Sequence, residues 1–219
     1  MGTAMVAGPG MKAAVLAALG LTALAGLANA AVPSEPASRA TAGSLVMLTR
    51  AADRAIDSLG RADGYFGNPD VQIPLPGKLA KLHKALQTLG ASSQADALVL
   101  AMNRAAEAAL PECRPLIADA IRQMPMPDAE QLAAGGDVLT RQFQATMSDR
   151  LSSGLLPIVA NATKGVRLAE KYNEVAAKAS VLGLLDQRDA DLDGYVTRQA
   201  LEGLYRTMAK EEGALRAGR

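Results

Sequence analysis

Between residues 44 and 59, apolar side chains recur every three or four positions: Leu45, Leu48, Ala52, Ile56 and Leu59. That spacing predicts one face of a helix, with Asp53, Arg54 and Asp57 facing elsewhere and Gly60 as a stop. Residues 65–76 break the rhythm, because Pro69, Pro74 and Pro76 with the nearby glycines forbid a regular element. The segment is expected to lay Tyr65, Phe66, Val71, Ile73 and Leu75 over the helices as a lid, or else to serve as a partner-binding or ligand-gating loop. Helical spacing returns near Pro76 with Leu79, Leu82, Leu86 and Leu89 before Gly90. A third helix, over 92–110, carries Ala95, Leu98, Met102, Ala105 and Ala109 and should end at Pro111.

Further elements follow at 115–124 and 128–134, the latter closed by Gly135 and Gly136. A helix from about residue 137 repeats Val138, Leu139, Phe143, Met147 and Leu151, with Pro157 expected to kink or end it. Residues 158–179 resume the spacing, a Gly- and Asp-rich turn follows, and a last helix is predicted over 197–215. The sum is an all-α fold: six to eight helices in a single compact bundle, with short connections and no strand.

The first residues follow a different pattern. Met11 and Lys12 precede an apolar run from Ala13 to Leu27, then Ala28-Asn29-Ala30. A positive start, a short apolar stretch and small-x-small residues make a secretory signal peptide, with cleavage expected after Ala30. Translation from Met1 or from Met11 fits this pattern. The organisation expected is a signal peptide at 1–30, a flexible leader at 31–43 and a helical domain at 44–215. The run is shorter than the roughly 20 residues of a spanning helix, so no stable membrane anchor is expected after cleavage. The mature chain is expected to be periplasmic or secreted.

Composition narrows the chemistry. Hydrophobic residues are 49% of the 219, enough for a sizeable core. The formal net charge of +1 argues against a nucleic-acid partner, and 3% aromatics argue against base-stacking platforms. Cys113 is the only cysteine, so no internal disulfide forms, and a buried thiol is the expected state.

Two groups could carry chemistry. Asp189, Asp191 and Asp193 followed by Gly194 match the opening of an EF-hand loop, a weak Ca2+ candidate completed by the Tyr195 carbonyl. The match lapses at its last position, where Ala200 replaces the bidentate Glu. The other reading of this segment is a polar turn whose acids favour the start of the next helix. Asn103, Arg104 and Glu107 form the second group, on a helix apolar almost all round. Asn103 and Glu107 share a face and would be partly buried, either as a polar site with Glu107 as base or metal ligand, or as a network fixing helix register. Arg122, Asp128, Arg141, Asp149, Arg150 and Lys164 are expected as a solvated surface.

A chain-long series of short motifs resembles a bacterial family known as domain of unknown function 4197. It comprises Gly64-Tyr65-Phe66-Gly67-Asn68-Pro69, Ile73-Pro74-Leu75-Pro76 and Met102-Asn103-Arg104-Ala105-Ala106-Glu107. It continues with Ala120-Ile121-Arg122-Gln123-Met124, Leu156-Pro157-Ile158-Val159, Leu182-Gly183-Leu184-Leu185 and Tyr195-Val196-Thr197. The resemblance implies a helical envelope protein with no assigned activity, and it singles out Asn68, Asn103, Arg104 and Glu107 as motif polar residues. The leading expectation is a non-enzymatic protein that binds a protein partner or an apolar small ligand. A Ca2+-binding module comes second. An enzyme using Glu107 with Arg104 comes last.

Overall fold

A computed structural model of the chain describes residues 35–88, 90, 92–181 and 191–218. Among them are eight helices and no strand: α1 (Glu35–Leu59), α2 (Gly77–Thr88), α3 (Ser93–Glu112), α4 (Arg114–Gln123), α5 (Ala129–Ala133), α6 (Val138–Gly165), α7 (Leu168–Val181) and α8 (Leu192–Arg216). The all-helical class expected from the periodicity is the class observed.

Helix α3 lies at the centre, touching α1, α4, α6, α7 and α8. Its sequence explains the position. Ala95, Ala101, Ala105, Ala106 and Ala109 are all buried, and small side chains let neighbours approach from several sides. Leu98, Met102 and Leu110 supply the volume between them. Around this axis α8 packs on both α1 and α6. Phe143 of α6 meets Tyr205 of α8 edge-on, with ring centroids 6.1 Å apart. Loop 60–76 crosses this assembly as the expected lid, with Tyr65, Val71, Ile73 and Leu75 buried and Phe66 half-buried.

Besides α3, which runs through Pro111 to Glu112, three boundaries depart from expectation. Helix α1 begins at Glu35, so most of the leader expected over 31–43 is helical. Pro157 neither ends nor interrupts α6, which runs from Val138 to Gly165. Pro157 is exposed, while Leu151, Leu155 and Val159 on the opposite side are fully buried. Burial of those side chains, at about 1.5–3 kcal/mol each, outweighs the one hydrogen bond that proline removes. The break falls later, at Val166 and Arg167, where Arg167 takes a left-handed φ of 54°. Finally, α8 starts at Leu192 and not at residue 197, so the expected Asp-rich turn is already helix over most of its described part. Residues 1–34, which hold the expected signal peptide, lie outside the described residues, as do Asp189 and Leu182-Gly183-Leu184-Leu185. No helix among the described residues is long and apolar enough to cross a membrane.

Candidate functional site

Asn103 and Glu107 stand one turn apart on α3, both buried, and both face loop 60–76. Asn103 joins the backbone of Ile73 in both directions. Its Oδ1 accepts the Ile73 N–H at 2.9 Å, and its Nδ2 donates to the Ile73 carbonyl at 2.9 Å and to the Val99 carbonyl at 2.8 Å. Glu107 Oε1 accepts the consecutive N–H groups of Tyr65 and Phe66, each at 3.0 Å. Its Oε2 takes the Arg104 guanidinium at 2.6 Å. Arg104 then reaches Asp63 Oδ1 at 2.8 Å and lies 6.0 Å from the centre of the Phe66 ring. Asp63 adopts a left-handed φ of 64°, a conformation that Asp tolerates better than most residues.

These contacts explain why polar residues sit on an apolar helix. A loop that crosses a core brings N–H and C=O groups that cannot reach water, and an orphaned one costs about 1–3 kcal/mol. Asn103 supplies a donor and an acceptor for one end of the loop, and Glu107 supplies a charged acceptor for the other. Asn103 and Glu107 therefore tie loop 60–76 to α3, with Arg104 bridging Glu107 to Asp63. Tyr65 adds a third attachment, its hydroxyl donating to the Ala200 carbonyl on α8 at 2.7 Å. Burial pushes the Tyr65 phenol far above its ordinary value, so it serves as a neutral donor.

Asn68 does not join the trio. Its Oδ1 accepts the Asp70 N–H at 3.2 Å, and its carbonyl accepts from Val71 and Gln72, so it shapes the outer bend of the loop. It also lines a polar groove of about 470 Å³ with Ser58, Asp70, Arg206 and Lys210. Lys210 pairs with Asp70 at 3.2 Å, and Arg206 donates to the Asp70 carbonyl at 2.5 Å.

Asp191 and Asp193 open α8. The Asp191 side chain accepts the Gly194 N–H at 3.0 Å, which is an N-cap. Asp193 Oδ1 accepts from the Thr163 hydroxyl of α6 at 2.7 Å. Both carboxylates thus take protein donors at the start of α8. The same two residues border a second groove, of about 670 Å³, where the end of α6 meets the starts of α7 and α8. Leu168, Tyr172 and Leu192 line it with Thr163, Lys164 and Asn173.

One buried carboxylate escapes a motif-based search. Glu212 of α8 is fully buried and caps α6 from outside its own chain segment. Oε1 accepts the Leu139 N–H at 3.2 Å, and Oε2 accepts the Thr140 N–H at 2.9 Å and the Thr140 hydroxyl at 2.8 Å. Arg216, one turn on, adds its guanidinium at 2.9 Å. Glu212 and Glu107 thus share a plan: two consecutive amides and one arginine from the glutamate's own helix. The signal in the sequence is a charge at the place where the buried stripe Leu201, Leu204, Tyr205 and Met208 would next require an apolar residue.

His83 and Cys113 serve separate purposes. His83 Nε2 lies 2.6 Å from Asp96, which also accepts from Ser92 at 2.6 Å, tying α2 to α3. Cys113 is fully buried, its thiol 3.1 Å from the Ala109 carbonyl.

A family model described as "Protein of unknown function (DUF4197)" matches residues 36–218. No curated protein and no solved structure matches the chain.

Proposed function

We propose that this chain, which belongs to the DUF4197 family of proteins of unknown function, is a non-enzymatic binding protein of the bacterial cell envelope that takes a small, largely apolar ligand. One observation carries the reading: the groove of about 670 Å³ between the ends of α6, α7 and α8. Its volume falls within the roughly 300–1,000 Å³ common for ligand sites. Ala169 and Tyr172 give it accessible apolar lining over the buried Leu168 and Leu192, and charged and polar side chains such as Lys164, Asn173 and Asp191 edge it, a combination that can orient a small molecule with an apolar body.

Two further features support it. The apolar run from Ala13 to Leu27, followed by Ala28-Asn29-Ala30, suits export to the envelope. On α3, Asn103 and Glu107 are committed to loop backbone, and both oxygens of Glu107 are taken by donors. This favours binding over acid–base chemistry at Glu107.

Native mass spectrometry of the mature chain, purified gently from a periplasmic extract, tests the reading. An added small-molecule mass that vanishes on denaturation is expected. It should be absent from Ala169→Trp, which fills the groove from an exposed lining position. A bare chain, or an added mass that survives Ala169→Trp unchanged, overturns it.

A further inference from the structure

We infer that residues 125–136, which hold α5, form a hinged flap that swings away from α6 as one unit while α4 and α6 stay folded. The segment adjoins the start of α6, whereas the groove lies at its end, so neither reading depends on the other.

The chain on either side of the segment is anchored without it. Before it, α4 ends at Gln123, with Ile117, Ala120, Ile121 and Met124 buried. After it, α6 begins at Val138, and the Asp137 side chain makes no capping bond. The start of α6 is held instead from α8, where Glu212 takes the Leu139 and Thr140 amides. Lifting residues 125–136 breaks none of these contacts.

The segment itself is lightly held. No residue of α5 is buried. Its apolar hold on the body is Pro127, which is buried, with Met126 and Leu132 half-buried against the core. Among the described residues, one hydrogen bond joins it to the rest: Gln142 Nε2 of α6 donates to the Pro125 carbonyl at 3.0 Å. Its other bonds are internal. Asp128 and Gln131 form a reciprocal capping box, and the amides of Leu132 and Ala134 donate to the carbonyls of Asp128 and Glu130. The flap therefore keeps its own turn while it moves.

Both joints suit a hinge. Gly135 and Gly136 are consecutive left-handed residues, with φ of 69° and 68°, and a Cβ on either would meet nothing within 4 Å. Glycine passes between backbone conformations at little cost, and no neighbour obstructs it here. At the other joint, Pro125 and Pro127 lack the N–H groups that would continue α4. Slight apolar burial and few bonds to the body put a segment at the low end of local stability. Opening lifts Met126, Pro127 and Leu132 off their apolar seat, so it bares part of the core, which fraying of a single turn would not.

Native-state hydrogen exchange of the mature chain in increasing urea, read by NMR, tests this. The amides of Leu132 and Ala134 should exchange at least about a hundredfold faster than those of Ile121 and Phe143, with a shallower dependence on urea. Two variants separate a unit from a fraying turn. Leu132→Ala should speed exchange at Ala134 about tenfold. Gln142→Met, which removes the bond at the far end of the flap, should speed exchange at the same amide about fivefold. Gly203→Ala should leave Ala134 unchanged. If Ala134 shares the rate and urea dependence of Phe143, or follows Gly203→Ala, the segment opens only as the whole protein unfolds and no flap exists. If Ala134 does not respond to Gln142→Met, the turn frays alone and the unit is overturned.

Discussion

The Tyr65 ring runs so close to Gly203 of α8 that a Cβ at that glycine would lie 2.6 Å from the ring's Cε1. The lid loop and α8 are therefore fitted to each other at one point, and the Tyr65 hydroxyl fastens the fit one turn away on the Ala200 carbonyl.

Gly203→Ala should lower stability by about 1–3 kcal/mol, because the ring is fully buried and has no space to retreat. Gly213→Ala in the same helix meets nothing within 4 Å and should raise stability by up to about 1 kcal/mol through helix propensity. Urea denaturation of the two variants gives the contrast. Equal effects would show that the Tyr65 contact is slack.

Removing the Glu107 carboxylate should free the lid before it unfolds the core. Glu107→Gln is expected to destabilise by roughly 1–3 kcal/mol, since two buried amides lose a charged acceptor. Hydrogen exchange should accelerate first at Tyr65 and Phe66, whose amides it holds. If those amides exchange no faster than the helical core, the clamp is not what secures the loop.

Glu212 should matter although it lies near the end of the last helix. Glu212→Ala leaves the Leu139 and Thr140 amides without their acceptor, a loss of roughly 2–3 kcal/mol. Thr140→Val combined with Glu212→Ala should fall short of the sum of the single effects, because both remove the bond between the Thr140 hydroxyl and Glu212. Strict additivity in thermal or urea melts would contradict the contact.

Cys113 should be inert in the folded protein. Burial pushes its thiol up to about 12, with Glu112 adding to the shift, and the side chain is fully buried. Iodoacetamide should label it only in denaturant, because the thiolate is the reactive form. Rapid labelling of the native protein near neutral pH would mean that the α3 end opens readily.

Acid should weaken the link between α2 and α3. The Ser92 hydroxyl and then His83 hold the Asp96 carboxyl below its usual range. A lowered folded pKa contributes stability that is complete above the unfolded value of about 4 and is lost as pH falls through the folded value. Asp96→Asn should therefore flatten the acid limb of the stability curve relative to the unaltered chain. Superimposable acid limbs would show that the exposed pair contributes nothing.

The helices were legible in the chain because their cause is local. Apolar residues three and four apart, as in Leu98, Met102, Ala105 and Ala109, can be buried together only on a helix. The punctuation by glycine and proline acts on the backbone of its own neighbours. The same local logic marked 65–76 as a loop and its apolar residues as a lid. It also placed Asn103 and Glu107 on one buried face.

Tertiary packing decided the rest. Pro157 breaks a helix by local rules, but burial of Leu151, Leu155 and Val159 on the far side carries α6 through it. Asp193 falls in a turn by local rules, but the Thr163 hydroxyl waiting on α6 and the cap from Asp191 let α8 begin earlier. Whether Glu107 is a base or a clamp depends on the 41 and 42 residues of separation between it and the amides that it holds. Glu212 and Thr140 are likewise 72 positions apart. Periodicity records which side of a helix is buried. It does not record which distant backbone groups arrive there unpaired, and those groups determine what the buried charges do.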